Sequence, residues 1–252
     1  AALVRHLRSA GKPLIAVIMA GRPLTLGDVI DDLDAVLFAW HPGTMAGAAL
    51  ADLLFGVESP SGKLPVSFPK VVGQIPIHYN RKMGGKPPSR DSIVLIDDIP
   101  VAAGQTSFGN TSYHLDAGYE PLFPFGFGLS YAEFRYSQLE LSAPELRMGE
   151  RLGVSVRVEN AGQVAAEEVV QLYVRDRVGS VTRPVRELKD FRRIRLEPGA
   201  STIVDFELGG ADLAFYGRSN RRVVEAGEFD VWVGGSSEAS LGAAFRLVAS
   251  PP

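Results

Sequence analysis

The 252-residue chain has no cysteine. That excludes thiol nucleophiles, cysteine-ligated zinc and disulfide bridges, and leaves the redox compartment open. A basic excess is missing too: 26 Lys and Arg stand against 29 Asp and Glu, for a formal charge of −3. With no basic stripe, no nucleic-acid partner is expected. Long apolar runs are absent. Leu14 to Ala20 and Ala35 to Trp40 fall far short of the ~20 residues of a bilayer-spanning helix, so no membrane span is expected. Histidine is sparse: His6, His41, His78 and His114 are scattered singly, without a pair spaced to share a metal from one helix. Neither a metal nor a cofactor is expected.

The usual chemical motifs also fail on inspection. "LFGVESPSGKLPVSFP" (53–68) resembles a phosphate-binding loop, but five residues rather than four separate Gly56 from Gly62. Leu64 stands where the magnesium-binding hydroxyl belongs, and the loop leaves a helix instead of entering one. A free-standing nucleotide-binding protein is therefore disfavoured. Gly128-Leu129-Ser130-Tyr131-Ala132 lacks the last glycine of a nucleophile elbow and precedes a β-pattern. The carboxylate pairs Asp31-Asp32, Asp97-Asp98 and Glu167-Glu168 read as solvated surface. Asn110-Thr111-Ser112 fits a glycosylation triplet by pattern alone. No complete catalytic set is present.

What is present falls into three stretches. The chain opens without an initiator Met, inside an amphipathic pattern with Leu3, Val4 and Leu7 on one stripe. It therefore reads as the C-terminal part of something longer. "PLIAVIMAG" (13–21) and "AVLFAW" (35–40) read as strands buried on both faces, with helices expected at Leu24 to Ile30 and Thr44 to Phe55. This is half of a doubly wound α/β layer. Two parallel strands do not make a stable sheet alone, so upstream strands are expected. Periodicity fails from Gly73 to about Tyr131, and a loop of that length points to function or to wrapping of a neighbouring surface. Beyond it the pattern has period two. Val154, Val156 and Val158 share a face, as do Val170, Leu172 and Val174, and Phe191, Phe206, Phe229 and Trp232 read as core. Six or seven short strands punctuated by Gly, Pro and Asn indicate a β-sandwich of immunoglobulin or fibronectin type III kind.

Taken in order, "GKPLIAVIMAGRPLTL", "AWHPGTMAGAALADLLFGVESPSGKLPVSFPKVVGQIP", "PLFPFGFGLSY", "VRVENAGQVAAEEVVQLYVRD" and "RPVRELKDFRRIRLEPG" resemble the C-terminal half of bacterial glycoside hydrolase family 3 β-glucosidases. The resemblance implies an α/β fold first: residues 1–72 as the C-terminal segment of an α/β sandwich that lacks its upstream strands. Residues 73–131 follow as a wrapping loop and linker, and 132–252 as an all-β fibronectin type III-like sandwich. It implies a retaining mechanism on terminal β-D-glucosyl residues. The nucleophilic Asp is expected on an upstream (β/α)8 barrel and the acid/base Glu on the upstream remainder of the α/β sandwich, so no catalytic residue falls in this chain. A β-glucoside or oligosaccharide is the implied substrate, the rest of the same enzyme is the implied partner, and a homodimer is compatible. A periplasmic or extracellular location is implied.

Substrate-binding candidates in this chain are Trp40 and His41 at a strand end, and Tyr113, His114 and Asp116 in the long loop. This sequence departs from relatives at Thr44 and at Tyr113-His114-Leu115-Asp116, which bears on outer-subsite preference. The alternative is a non-catalytic carbohydrate- or surface-binding module, which a row of exposed aromatics would favour.

Overall fold

A computed structural model describes residues 1–104 and 111–249. Asn110 of the glycosylation triplet lies outside the described residues. The chain forms two compact units: Ala1–Val57, Val66–His78 and Gly84–Pro124 in the first, and Glu58–Pro65, Tyr79–Met83 and Phe125–Pro252 in the second. The expected boundaries at 72 and 131 do not describe this grouping. Residues 58–65 and 79–83 join the sandwich, and most of the long aperiodic stretch joins the α/β unit.

In the first unit, helix α1 (Ala2–Arg8) precedes strand β1 (Ile15–Ile18), strand β2 (Ala35–Phe38) and helix α2 (Ala46–Leu54). β1 and β2 pair in parallel, from Ile15 opposite Ala35 to Ile18 opposite Phe38. The helix expected at Leu24 to Ile30 is not there. Gly27 lies within it, and the one short helical element that forms here is a 3-10 turn at Ile30–Asp32. Tertiary contact shapes this segment: Leu26 is buried, and a Cβ on Gly27 would stand 2.7 Å from the Lys70 carbonyl oxygen. Helix α2 stops in a Schellman arrangement. Gly56, at φ 75°, donates to the Leu53 carbonyl (3.4 Å) and Val57 donates to that of Asp52 (2.8 Å), which satisfies two terminal carbonyls.

Burial on both faces of β1 is not observed within this chain. Its pattern alternates, with Ile15 and Val17 exposed and Met19 beyond it exposed at 65%. Phe55 at the end of α2 is 85% exposed.

The second unit is a sandwich. A five-stranded sheet in the order β4-β12-β11-β6-β7 faces a three-stranded sheet in the order β3-β5-β8. Its strands are β3 (Phe134–Leu141), β4 (Glu145–Arg147), β5 (Arg151–Asn160), β6 (Ala166–Asp176), β7 (Glu187–Leu196), β8 (Ser201–Gly209), β11 (Gly227–Gly234) and β12 (Leu241–Val248). Between β8 and β11 lie a short helix α3 (Gly210–Leu213) and the small hairpin β9 (Phe215–Tyr216) and β10 (Arg222–Val223). The period-two pattern explains the core. Val154, Val156 and Val158 of β5 and Val204, Phe206 and Leu208 of β8 turn to Val170, Leu172 and Val174 of β6. Each fully buried side chain of this size is worth about 1.5–3 kcal/mol. Phe229 and Phe245 are register partners and stack at 5.3 Å. Two of the expected core aromatics are placed otherwise. Phe191 lies on the outward face of edge strand β7 and is 57% exposed. Trp232 is half-buried beneath the Arg186 guanidinium, 4.1 Å from its ring.

Candidate functional site

In the α/β unit, the ends of β1 and β2 bring Gly21, Trp40 and His41 together. The parallel ladder runs one step past β2, where Ala39 N–H donates to the Ile18 carbonyl (2.8 Å). Trp40 then turns the chain in the left-handed region, at φ 54°. That conformation costs a bulky residue about 1–2 kcal/mol. Its indole is gripped edge-on by Phe38 (4.6 Å) and Phe68 (6.1 Å), and Phe68 also contacts Phe123. His41 is exposed, yet its imidazole rests on Gly21, where any Cβ would collide with its Nε2. Glycine at the end of β1 is therefore what seats His41. In parallel α/β sheets this carboxyl edge is where ligands collect.

Tyr113, His114 and Asp116 occupy one tight turn. The His114 carbonyl accepts the amides of Ala117 (3.2 Å) and Gly118 (2.7 Å), and His114 N–H donates back to the Gly118 carbonyl (3.2 Å). Gly118, at φ 71°, closes it. The Tyr113 hydroxyl donates to the Val94 carbonyl (3.1 Å) and accepts the Val94 amide (3.2 Å). Tyr113 thus acts as a strut, while His114 and Asp116 stand exposed. The turn is tied to the segment carrying Phe68: Lys70 Nζ donates to the Ala117 carbonyl (3.5 Å), and buried Gln74 donates to the Glu120 carbonyl (3.2 Å). Sequence reasoning missed Gln74, which has no periodicity around it to mark it as buried.

The glycine-lysine loop has a different task, within the sandwich unit. Lys63 Nζ forms a nearly buried ion pair with Glu168 (2.9 Å) and donates to the Gly128 carbonyl (3.0 Å). Glu168 also accepts its neighbour Val169 N–H (2.8 Å). Burial, followed by the Glu168 charge, pushes the nearby Tyr136 phenol well above its ordinary range. The expectation that Glu167-Glu168 is solvated fails for Glu168, which is buried. Strand alternation turns it inward toward Lys63, while Glu167 pairs with Arg193 (2.8 Å) at the surface.

The same pairing explains the glycines of "PFGFGLSY". Leu64 N–H donates to the Phe127 carbonyl and Gly126 N–H to that of Leu64, both at 2.8 Å. Gly126 adopts φ 80°, and a Cβ there would run into the Gln171 amide group. One on Gly128 would collide with the Gly62 carbonyl. The two motifs are halves of one joint.

Comparison with known proteins agrees with this architecture. Residues 1–131 match the glycosyl hydrolase family 3 C-terminal domain, and residues 168–237 match the fibronectin type III-like domain. This chain belongs to glycosyl hydrolase family 3. It is 38% identical over 248 residues to a periplasmic beta-glucosidase of Salmonella typhimurium, covering 98% of this chain and 30% of that protein. It is 39% identical over 237 residues to a beta-xylosidase of Formosa agariphila, covering 94% of this chain and 30% of that protein. Among solved structures, the Listeria innocua beta-glucosidase in complex with gluconolactone superposes with a TM-score of 0.87 at 37% identity, over 97% of this chain and 32% of that one. This family 3 chain thus spans about a third of the length of these relatives. Among its described residues no helix is long and apolar enough to cross a membrane.

Proposed function

We propose that this chain is the C-terminal part of a retaining β-glucosidase that releases terminal, non-reducing β-D-glucosyl residues. The observation that carries the reading is end-to-end similarity to family 3 glycosidases across 98% of the chain, with the α/β unit and the sandwich in the same order. The chemistry requires two carboxyl groups about 5–5.5 Å apart, one attacking the anomeric carbon and one protonating the leaving oxygen. We assign neither role within residues 1–252. The nucleophilic Asp is placed on an upstream (β/α)8 barrel and the acid/base Glu on the upstream part of the α/β sandwich. Exposed Ile15, Val17 and Met19 provide the apolar surface that such upstream polypeptide would cover.

In this reading Trp40 and His41, at the carboxyl edge of the parallel pair, together with His114 and Asp116 on the turn braced by Tyr113, contribute to the sugar-binding rim. A location outside the cytoplasm follows the periplasmic relative. A β-xyloside substrate is the second reading, favoured by the 39% identity to the Formosa enzyme.

The isolated 252-residue chain is expected to leave p-nitrophenyl β-D-glucoside intact. The polypeptide that carries the upstream part is expected to hydrolyse it, faster than the β-D-xyloside, and to release β-glucose first by proton NMR. Turnover by the isolated chain would overturn the proposal. So would release of the α-anomer, and preference for the xyloside would select the second reading.

A further inference from the structure

The loop from β2 to α2 carries His41 at the carboxyl edge of the parallel pair, and the backbone is constrained on both sides of it. Trp40 before it lies in the left-handed region, at φ 54°, and Phe38 and Phe68 pin its indole there. Pro42 after it favours extended backbone at His41 itself. Gly43 then turns the chain again, at φ 75°, before α2 begins. A left-handed bulky residue persists only where its surroundings enforce it, and such residues cluster at functional sites. What this one delivers to the edge of the pair is an exposed imidazole.

The side chain is constrained as well. The three atoms nearest to a Cβ built on Gly21 all belong to the His41 ring: Nε2, which it would overlap, then Cε1 at 3.1 Å and Cδ2 at 3.3 Å. The imidazole therefore meets the end of β1 edge-on, with Nε2 leading. Gly21 itself is outside the left-handed region, so its backbone makes no demand for glycine there. The space that His41 occupies does. No described residue hydrogen-bonds to the ring. A neutral imidazole offers one donor and one acceptor, which suits a hydroxyl, itself both.

We propose that Gly21 is a positioning residue for sugar binding: it lets the His41 imidazole lie across the end of β1, where the ring bonds a hydroxyl of the bound glycoside. This rests on the reading of Trp40 and His41 as part of the sugar-binding rim. It adds Gly21 as a residue that acts only through His41.

Substitution separates this role from that of a glycine the fold requires. A Cβ on Gly21 meets the far end of an exposed side chain, which can swing aside, so Gly21→Ala keeps the fold and moves the ring. Gly21→Ala, His41→Ala and the double variant are compared in the polypeptide that includes the proposed upstream part. Thermal melting and steady-state hydrolysis of p-nitrophenyl β-D-glucoside are the readouts. Each single variant melts with the unsubstituted protein. Each raises KM about threefold to tenfold, the scale of one neutral hydrogen bond, while kcat changes little, as loss of uniform binding requires. The double variant is no worse than His41→Ala, because the glycine then has no ring to place.

An unchanged KM in either single variant overturns the proposal. So do additive losses in the double variant, and so does a Gly21→Ala protein that melts well below the unsubstituted one, since the glycine then serves the fold. All of these failures leave the unsubstituted protein active. An unsubstituted polypeptide without turnover contradicts the glucosidase reading, and the proposal falls with it.

Discussion

In the sandwich, alternate residues of β5 are closed to solvent, whereas in the α/β unit the alternate residues of β1 stand open to it. Val154, Val156 and Val158 are at most 1% exposed, but Ile15 is 50% and Val17 38% exposed. Both segments carry apolar residues whose sequence predicts burial, on both faces of β1 and on one face of β5. The difference lies in what they face. β5 has a second sheet opposite it, while the face of β1 that carries Ile15 and Val17 is open to solvent. Hydrophobic pattern states what a strand requires, and the opposing layer decides whether this chain supplies it.

The comparison can be broken by substitution. The largest effect is expected at the sandwich core, where Phe206→Ala should cost about 3–5 kcal/mol in denaturant unfolding. Val17→Ala in β1 of the same chain should stay within about 0.5 kcal/mol, as an exposed site does. Equal losses at the two positions would erase the distinction.

Next comes the ion pair that fastens the glycine-lysine loop inside the sandwich. Lys63→Met leaves the Glu168 carboxylate buried without its cation and should cost about 3–5 kcal/mol. The double variant Lys63→Met, Glu168→Leu should recover most of that loss, because no charge is then left unpaired. If the double variant is as unstable as the single one, packing rather than charge holds the loop. Gly126→Ala forces a side chain into the left-handed region and against Gln171, and should cost at least about 1–2 kcal/mol. A neutral result by thermal melting would mean that the joint relaxes.

The smallest effect concerns Asp34 in the α/β unit. Its hydrogen bond from the Leu14 amide, and then the Arg8 guanidinium, hold its carboxyl below the ordinary range. The folded state therefore binds this proton less readily than the unfolded chain. The stabilisation is present above the unfolded carboxylate range and fades as pH falls through the lower folded value. Asp34→Asn should flatten this acid limb slightly in a pH series of melting temperatures, and an unchanged limb would remove Asp34 from it.

Much of the sandwich was legible because period two survives reading one residue at a time. Val170, Leu172 and Val174 declare their face without knowledge of what lies opposite. Glu168 was not legible, since a carboxylate beside another carboxylate looks solvated until Lys63, about a hundred residues earlier, is seen to reach it. Phe191 misled in the opposite sense, because alternation identifies two faces without saying which is outside on an edge strand. At the candidate rim, the strand-end position of Trp40 and His41 could be read directly. The left-handed turn at Trp40 and the seat that Gly21 provides for His41 could not, because both arise from the meeting of two strand ends. The segment at Leu24 to Ile30 failed as a helix for a comparable reason: Gly27 answers to the Lys70 carbonyl and not to its neighbours in sequence.

The most direct test of the account is amide hydrogen exchange, read by mass spectrometry on the chain alone and on a polypeptide that includes the proposed upstream part. The account predicts slow exchange of β5 and β6 in both samples. It predicts fast exchange of β1 and β2 in the chain alone, slowed to the level of β5 only when the upstream part is present. If β1 and β2 are as protected as β5 in the isolated chain, the α/β unit closes its own layer and the central claim is contradicted.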